Sequence, residues 1–454
     1  MPNQCCLQHL TLENYRCFPA LSLSFDDRMT VFVAPNGGGK TAVLDGIALA
    51  LRLFVDTVEG RTTSRGFEKK DIRRLQAPHG GMETVTPVRL RASGDWLGQP
   101  VSWTRERESE RASRTTTAGA QELRQIGTRL RRQNQEWVEG NQPDCPLYPL
   151  VSYYGTGRLW SAYNRVKSRS SDKTRNARDR GYTDCLSSAS HYKYFLDWFR
   201  RFSYEARRER HDETASPHDP QQLLRGVSRA VDTALRPSGW KGLEWDFAEE
   251  IASSNHPMYG RLPIDFLSDG IRNMVGLVAD IAHRAARLNP QFGENAATQT
   301  PGIVLIDEVD MHLHPEWQQV VLRSLGEAFP LLQFIVTTHS PQVLTTLRRE
   351  NVRVFEADDN GQWTANPPTM SPLAHESGDA LAHIMGVHPR PVVENILADL
   401  HAYEQFARNG RRHSEEAKAI RIRLDAAGFE FNPADLALFD FLARKAAESG
   451  AGKR

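Results

Sequence analysis

The period of the hydrophobic positions changes several times along the chain, and each change marks an element. The first forty residues predict three short strands, LQHLTLENY, ALSLSF and MTVFVA, then a glycine-rich turn and a helix from about Lys40 to Val55. Residues 84–107 alternate apolar and polar, as an antiparallel pair does. From Arg105 to Arg132 the chain is rich in Arg, Ser and Thr without clean periodicity, and a flexible excursion is expected there. Residues 146–158, PLYPLVSYYGTGR, hold a buried-strand run that ends in a glycine-rich turn.

The pattern then turns helical. Between about His191 and Arg236 the spacing of Tyr194, Trp198, Phe202, Leu223, Val227, Val231 and Leu235 predicts an inserted helical arm or lid. GIVLI at 302–306 and LQFIVT at 332–337 are unbroken apolar runs of the kind found in central parallel strands. The helical PEWQQVVLRSLGEAF between them completes a crossover unit. Beyond about Ser371 the sequence is helical again, with Gly428 as a stop and Asn432 and Pro433 placed as N-cap and first-turn residues.

Composition narrows this little. At 454 residues, 39% hydrophobic and 25% charged with a mean hydropathy of −0.53, the chain suits one large core with a smaller inserted or appended unit. No uninterrupted apolar stretch suggests a membrane span, and the N-terminus lacks a basic segment followed by an apolar one, so a cytoplasmic location is expected. Cys5, Cys6, Cys17, Cys145 and Cys185 fall at irregular spacings without a metal pattern and read as reduced packing residues. A net charge of +1 gives no global field for nucleic acid. One local cluster does exist: Arg165, Lys167, Arg169, Lys173, Arg175, Arg178 and Arg180 stand against only Asp172 and Asp179, as a solvated loop or a phosphate-backbone contact.

The strongest chemical signal is Ala34-Pro35-Asn36-Gly37-Gly38-Gly39-Lys40-Thr41, between a predicted strand and a predicted helix. That context is a P-loop. Asn36, Gly37, Gly38, Gly39 and Ala42 would wrap the phosphates of ATP, Lys40 would reach the β and γ phosphates, and Thr41 would ligate Mg2+. Ala34 replaces the usual first glycine. Ile303-Val304-Leu305-Ile306-Asp307-Glu308 is a strand ending in two carboxylates, a Walker B pattern in which Asp307 holds the metal through water and Glu308 orients the attacking water as general base.

Three further segments fit the same chemistry. Leu267-Ser268-Asp269-Gly270 precedes an amphipathic helix and resembles the LSGGQ signature of ABC proteins, where Ser268 and Gly270 would cradle the nucleotide of an opposite subunit. His339, directly after the apolar run FIVTT, occupies a switch position from which an imidazole can meet the γ-phosphate. Met311-His312-Leu313-His314-Pro315-Glu316 could suggest a metal site, but it matches the D-loop that lines the dimer interface in SMC-like proteins.

Together with Asn14-Tyr15-Arg16-Cys17-Phe18, these motifs resemble the RecF, OLD and SMC-like branch of the AAA and ABC ATPases. The resemblance implies an α/β fold: an ABC-type P-loop head with an antiparallel β-subdomain, an inserted helical arm and a C-terminal helical tail. It divides the chain into an N-terminal half of the head at 1–160, an arm at 161–260, a C-terminal half at 261–370 and a tail at 371–454. It also implies that Arg16 reaches the phosphates or ribose, and that FEKKDI at 67–72 lies where the Q-loop does, with Asp71 as a water or magnesium contact.

No acidic Toprim-like region follows the switch segment, and the short helical tail resembles the stand-alone ATPases of Septu and retron-associated antiphage systems. By that resemblance the chain would form a homodimer or higher homo-oligomer and regulate a separate HNH-type nuclease, docking through its tail. The alternative is a RecF-like ATPase of DNA repair that closes on DNA or RNA through the Arg165–Arg180 cluster. A third reading is an autonomous nuclease using His312 and His314.

Overall fold

The computed structural model describes residues 5–61, 63–78, 80–112, 115–157, 178–187, 192–209, 219–387, 396–431 and 433–451. Along the first half run β1 (Cys5–Tyr15), β2 (Phe18–Ser24), β3 (Met29–Val33), α1 (Lys40–Val58), β4 (Arg73–Gln76), β5 (Met82–Val85), β6 (Val88–Trp96), β7 (Gln99–Arg107), α2 (Gln121–Val138) and β8 (Leu150–Tyr154). The middle holds α3 (Tyr192–Glu209), α4 (Pro220–Leu235), β9 (Lys241–Asp246), β10 (Ile251–His256), β11 (Gly260–Pro263), α5 (Asp269–Leu288) and α6 (Ala296–Gln299). Then follow β12 (Gly302–Ile306), α7 (Pro315–Gln318), α8 (Val321–Ala328), β13 (Leu332–Thr337), α9 (Pro341–Leu344), β14 (Val352–Ala357), β15 (Trp363–Asn366), α10 (Ser377–His383), α11 (Ile396–Arg408), α12 (Glu415–Ala426) and α13 (Pro433–Ala451).

The unbroken apolar runs become the middle of a six-stranded sheet of order β15-β14-β3-β13-β12-β8, parallel except at β15. Every residue of β8, β12 and β13 is buried, which is why those segments show no alternation. Gln333 is a polar residue in such a run, and its side chain is satisfied by Leu7 N, Leu7 O and Asp26 O at 2.8 Å each. That places a crosslink between β13 and β1. The order β3-β13-β12 sets the strand before the P-loop, the strand before His339 and the strand before Asp307 side by side, ending at one edge of the sheet.

A second, antiparallel sheet of order β2-β1-β6-β7 forms the β-subdomain, with Trp96 packed on Phe54 of α1 at 4.7 Å between ring centroids. The expected pair at 84–107 is β6 and β7, in register from Val88 opposite Arg107 to Trp96 opposite Gln99. The expected flexible excursion is corrected in two places. β7 continues to Arg107, and α2 buries Leu123, Ile126 and Leu130 at helical spacing beneath a polar, arginine-rich outer face.

The arm contains α3 and α4, with Trp198, Leu223, Val227, Val231 and Leu235 buried as their spacing requires. Its last part is not helical, because β9, β10 and β11 form a three-stranded antiparallel sheet of order β11-β10-β9. Residues 158–177, with most of the basic cluster, and Asn432 lie outside the described residues. The chain divides into two compact units, Met1–Val387 and His388–Arg454. The second has its own core of Leu400, Tyr403, Ala407, Ala417, Ile420, Leu424, Phe431 and Phe439 among α11, α12 and α13. Gly428, in the left-handed region at φ 78°, ends α12. Among the described residues no helix is long and apolar enough to cross a membrane.

Candidate nucleotide site

β3 delivers the chain into a loop whose geometry demands glycine. Gly37 and Gly39 take φ of 78° and 82°, and a Cβ at Gly39 would stand 2.3 Å from the Phe18 ring and 2.9 Å from Cys17 Sγ. A Cβ at Gly38 would stand 2.7 Å from the Cβ of Ala34. Ala34 therefore fits where a glycine is usual because Gly38 leaves the space. Lys40, buried at the start of α1, folds back and donates to the carbonyls of Ala34 at 2.7 Å and Pro35 at 3.3 Å. Burial lowers the pKa of its ammonium, against the pull of Asp307, Glu308 and Asp310. The first turn of α1 carries no acidic residue, which leaves its N-terminal dipole open to an anion.

Thr41 Oγ1 donates to Asp307 Oδ2 at 2.8 Å, joining residues 266 apart in the chain. Asp307 is buried; its N–H donates to the Tyr154 carbonyl at 2.8 Å, and its second oxygen accepts from Thr337 Oγ1 at 2.6 Å. Glu308 follows in the left-handed region at φ 50°, with its N–H donating to Thr337 Oγ1 at 2.7 Å. A hydroxyl and a carboxylate meeting beside a glycine-rich helix N-terminus are hard oxygen donors, and they fit a magnesium-bound nucleotide. His339 is half-buried one residue beyond Thr338, whose hydroxyl donates to Asp310 Oδ1 at 2.5 Å. Ser340 Oγ donates to Gln318 Oε1 at 2.7 Å, so hydroxyls on both sides of His339 tie it to the segment after Asp307.

The signature residues sit at the other end of that segment. Ser268 is the exposed N-cap of α5, and its side chain makes no capping hydrogen bond. Gly270 is buried against the His312 carbonyl, and Asn273 Nδ2 donates to Met311 O at 3.3 Å. His312 is left-handed at φ 64°, while His314 N-caps α7 by accepting from Glu316 N at 3.4 Å. His314 thus serves the backbone of the turn.

Arg16, at φ 52°, is held between Asp45 of α1 at 2.7 Å and Asp71 at 2.9 Å, with its guanidinium 5.3 Å from the Tyr15 ring centre. Asp71 Oδ1 accepts from Arg16 and its Oδ2 from Glu68 N at 2.9 Å, so it holds Arg16 and the turn at 68–71 together. β8 flanks the Asp307 strand, which places Tyr154 and Gly155 beside the site. Sequence reading missed this because pairing of β8 with β12 is non-local; the glycine-rich end of PLVSYYGTG was the available signal. It also missed Thr337, one of two adjacent threonines that local pattern cannot tell apart.

The "AAA domain" family model matches residues 9–211, and a second, "AAA domain, putative AbiEii toxin, Type IV TA system", matches residues 175–345. The "Retron Vc95 probable ATPase" of Vibrio cholerae is 26% identical over 91% of this chain and 86% of its own length. The "Retron Ec83 probable ATPase" of Escherichia coli is 25% identical over 94% and 84%. The Septu protein PtuA of Bacillus thuringiensis is 23% identical over 74% and 72%. Among solved structures, the SMC head domain from Thermotoga maritima aligns with a TM-score of 0.45 at 16% identity, over 81% of this chain and all of that one. With its P-loop, its paired carboxylates and these matches, the chain is a P-loop ATPase similar to the probable ATPases of retrons Vc95 and Ec83 and to the Septu protein PtuA.

Proposed function

We propose that this ATPase closes its nucleotide site between two copies and, through the bound or hydrolysed state, controls a separate effector nuclease in defence against phage. The observation that carries the composite site is Ser268: it is exposed at a helix N-terminus, it makes no capping bond, and Gly270 beside it is packed on the His312 carbonyl. A phosphate cradle so placed faces outward, and it is braced by the same segment that carries Asp307 and Glu308.

In this reading Gly37, Gly38 and Gly39, with Asn36 and Ala42, wrap the phosphates and Lys40 neutralises them. Thr41 and Asp307 hold the magnesium, which supplies charge neutralisation on the phosphate oxygens when bound. Glu308 takes a proton from the attacking water, and His339 meets the γ-phosphate side. Ser268 and Gly270 act on the nucleotide of the other copy, and Arg16 reaches the phosphates or ribose. Residues 371–454 are the docking region for the effector. Ile422 at 67%, Phe441 at 60% and Leu438 at 49% exposure give its second half an apolar surface consistent with that role. The names retron and Septu on the relatives support the setting.

Mixing two inactive variants tests the composite site. Lys40→Ala keeps its signature and Ser268→Arg keeps its P-loop, so mixed dimers regain one working site and turnover returns. Absence of recovery, with both variants folded and associating, overturns the reading. Co-purification with proteins encoded beside the gene tests the effector, and a nuclease must come along.

A further inference from the structure

We propose that Thr337 is a positioning residue for hydrolysis, using one hydroxyl to set both members of the Asp307–Glu308 pair. The proposal rests on the reading of Glu308 as the general base and adds what aims it. In the sheet Ile306 stands opposite Val336, so Asp307 and Thr337 leave neighbouring strands at the same level. Thr337 is fully buried. An N–H can only donate, so the Thr337 oxygen accepts from Glu308 N at 2.7 Å; its single proton therefore goes to Asp307 Oδ1 at 2.6 Å. The direction of both bonds is fixed without ambiguity.

Two consequences follow for the carboxylates. Asp307 is oriented by a hydroxyl on each side, Thr337 on Oδ1 and Thr41 on Oδ2, which fixes the plane of the carboxylate. Glu308 stands in the left-handed region, which a β-carbon disfavours, so something must hold it there. Thr337 does so twice, through its hydroxyl to Glu308 N and through its carbonyl to Val309 N at 3.0 Å. The left-handed turn decides where the Glu308 side chain leaves the strand. Valine at this position keeps the shape and the carbonyl contact but leaves Asp307 Oδ1 and Glu308 N without the shared partner. Serine keeps the hydroxyl.

Four variants of the full chain test this in steady-state ATP turnover with parallel nucleotide affinity: Thr337→Val, Thr337→Ser, Glu308→Gln and the double Thr337→Val/Glu308→Gln. Thr337→Val is expected to lower kcat about 10–100-fold with KM and nucleotide affinity within about threefold, while Thr337→Ser restores kcat. Because the share of Thr337 that acts through Glu308 is already lost in Glu308→Gln, Thr337→Val should slow the Glu308→Gln background by a smaller factor than it slows the wild type. A wild-type kcat for Thr337→Val beside a slow Glu308→Gln overturns the proposal and leaves the base assignment standing. So does a double variant in which the two losses multiply, the result of a merely structural role. Wild-type turnover in Glu308→Gln overturns the base assignment and the proposal with it. If the valine variant fails to fold, Thr337→Cys, similar in size and a much weaker donor, is read by the same criteria.

Discussion

A Cβ added to Gly270 would come within 2.6 Å of the His312 carbonyl oxygen, so the first turn of α5 and the turn after Asp307 touch backbone to backbone. Gly270→Ala must force them apart. Overpacking of this kind costs roughly 1–3 kcal/mol. The expected outcome is a folded protein with a slightly lower melting temperature that binds ATP normally but turns it over at least about tenfold more slowly, since displacement of a catalytic element by about 1 Å is costly. Calorimetry with single-turnover kinetics checks both halves.

The Thr41–Asp307 bond predicts how the site depends on metal. Asp307→Asn keeps the shape but removes the charge that holds magnesium and leaves one oxygen where Thr41 and Thr337 both donate. ATP turnover should fall on the order of a hundredfold or more, and excess magnesium should recover part of it. Chelation with EDTA should abolish wild-type turnover, and a variant rate that is already insensitive to magnesium would contradict the assignment.

His283 gives the fold a pH dependence of definite sign. Burial drops its pKa from 6.5 to about 4, against the pull of Asp280 and with Arg287 and Arg284 nearby, and its ring lies 4.4 Å from the Trp198 ring. Between those values the unfolded chain takes up a proton that native His283 refuses. Its contribution is therefore fully present above about pH 6.5 and is lost as the pH falls toward 4. Going from pH 7.5 to pH 5 should remove about 2 kcal/mol through this group. Urea titrations at the two pH values should show that loss in the wild type and less of it in His283→Phe.

Arg178 was expected to join a surface cluster, but it is buried. Its guanidinium donates to the carbonyls of Leu288 at 2.8 Å and Pro146 at 2.6 Å and to Asn134 Oδ1 at 3.0 Å, with the Tyr148 ring centre 4.4 Å away. Removing it strands buried carbonyls. Arg178→Ala should destabilise by on the order of 3 kcal/mol in chemical denaturation. Any loss of nucleic-acid binding in a charge reversal here would therefore report damage to the fold.

The parts of this protein legible in its sequence are those written in contiguous residues. The strand, loop and helix around Lys40, the apolar runs before Asp307 and His339, and the Gly428 stop each depend on neighbours a few positions away. What stayed hidden depends on pairing. Nothing local says that Leu150–Tyr154 lies against Gly302–Ile306, which is what sets Tyr154 beside Asp307. Nor does the sequence say which of Thr337 and Thr338 faces Asp307, a matter of one residue in register. α2 was missed for another reason: its buried stripe of Leu123, Ile126 and Leu130 is thin against an otherwise arginine- and glutamine-rich helix.

The side-by-side order of β3, β13 and β12 also governs how the protein is made. β3 ends at Val33, yet its neighbour β13 ends at Thr337. At about 5–20 residues per second, the ribosome needs roughly 15–60 s to deliver the second strand after the first. For that interval the P-loop hangs from a strand with an open edge, and the hydrogen-bonding groups along Met29–Val33 await partners encoded three quarters of the way along the message. The nascent chain is thus most vulnerable to mispairing at the element on which ATP binding depends.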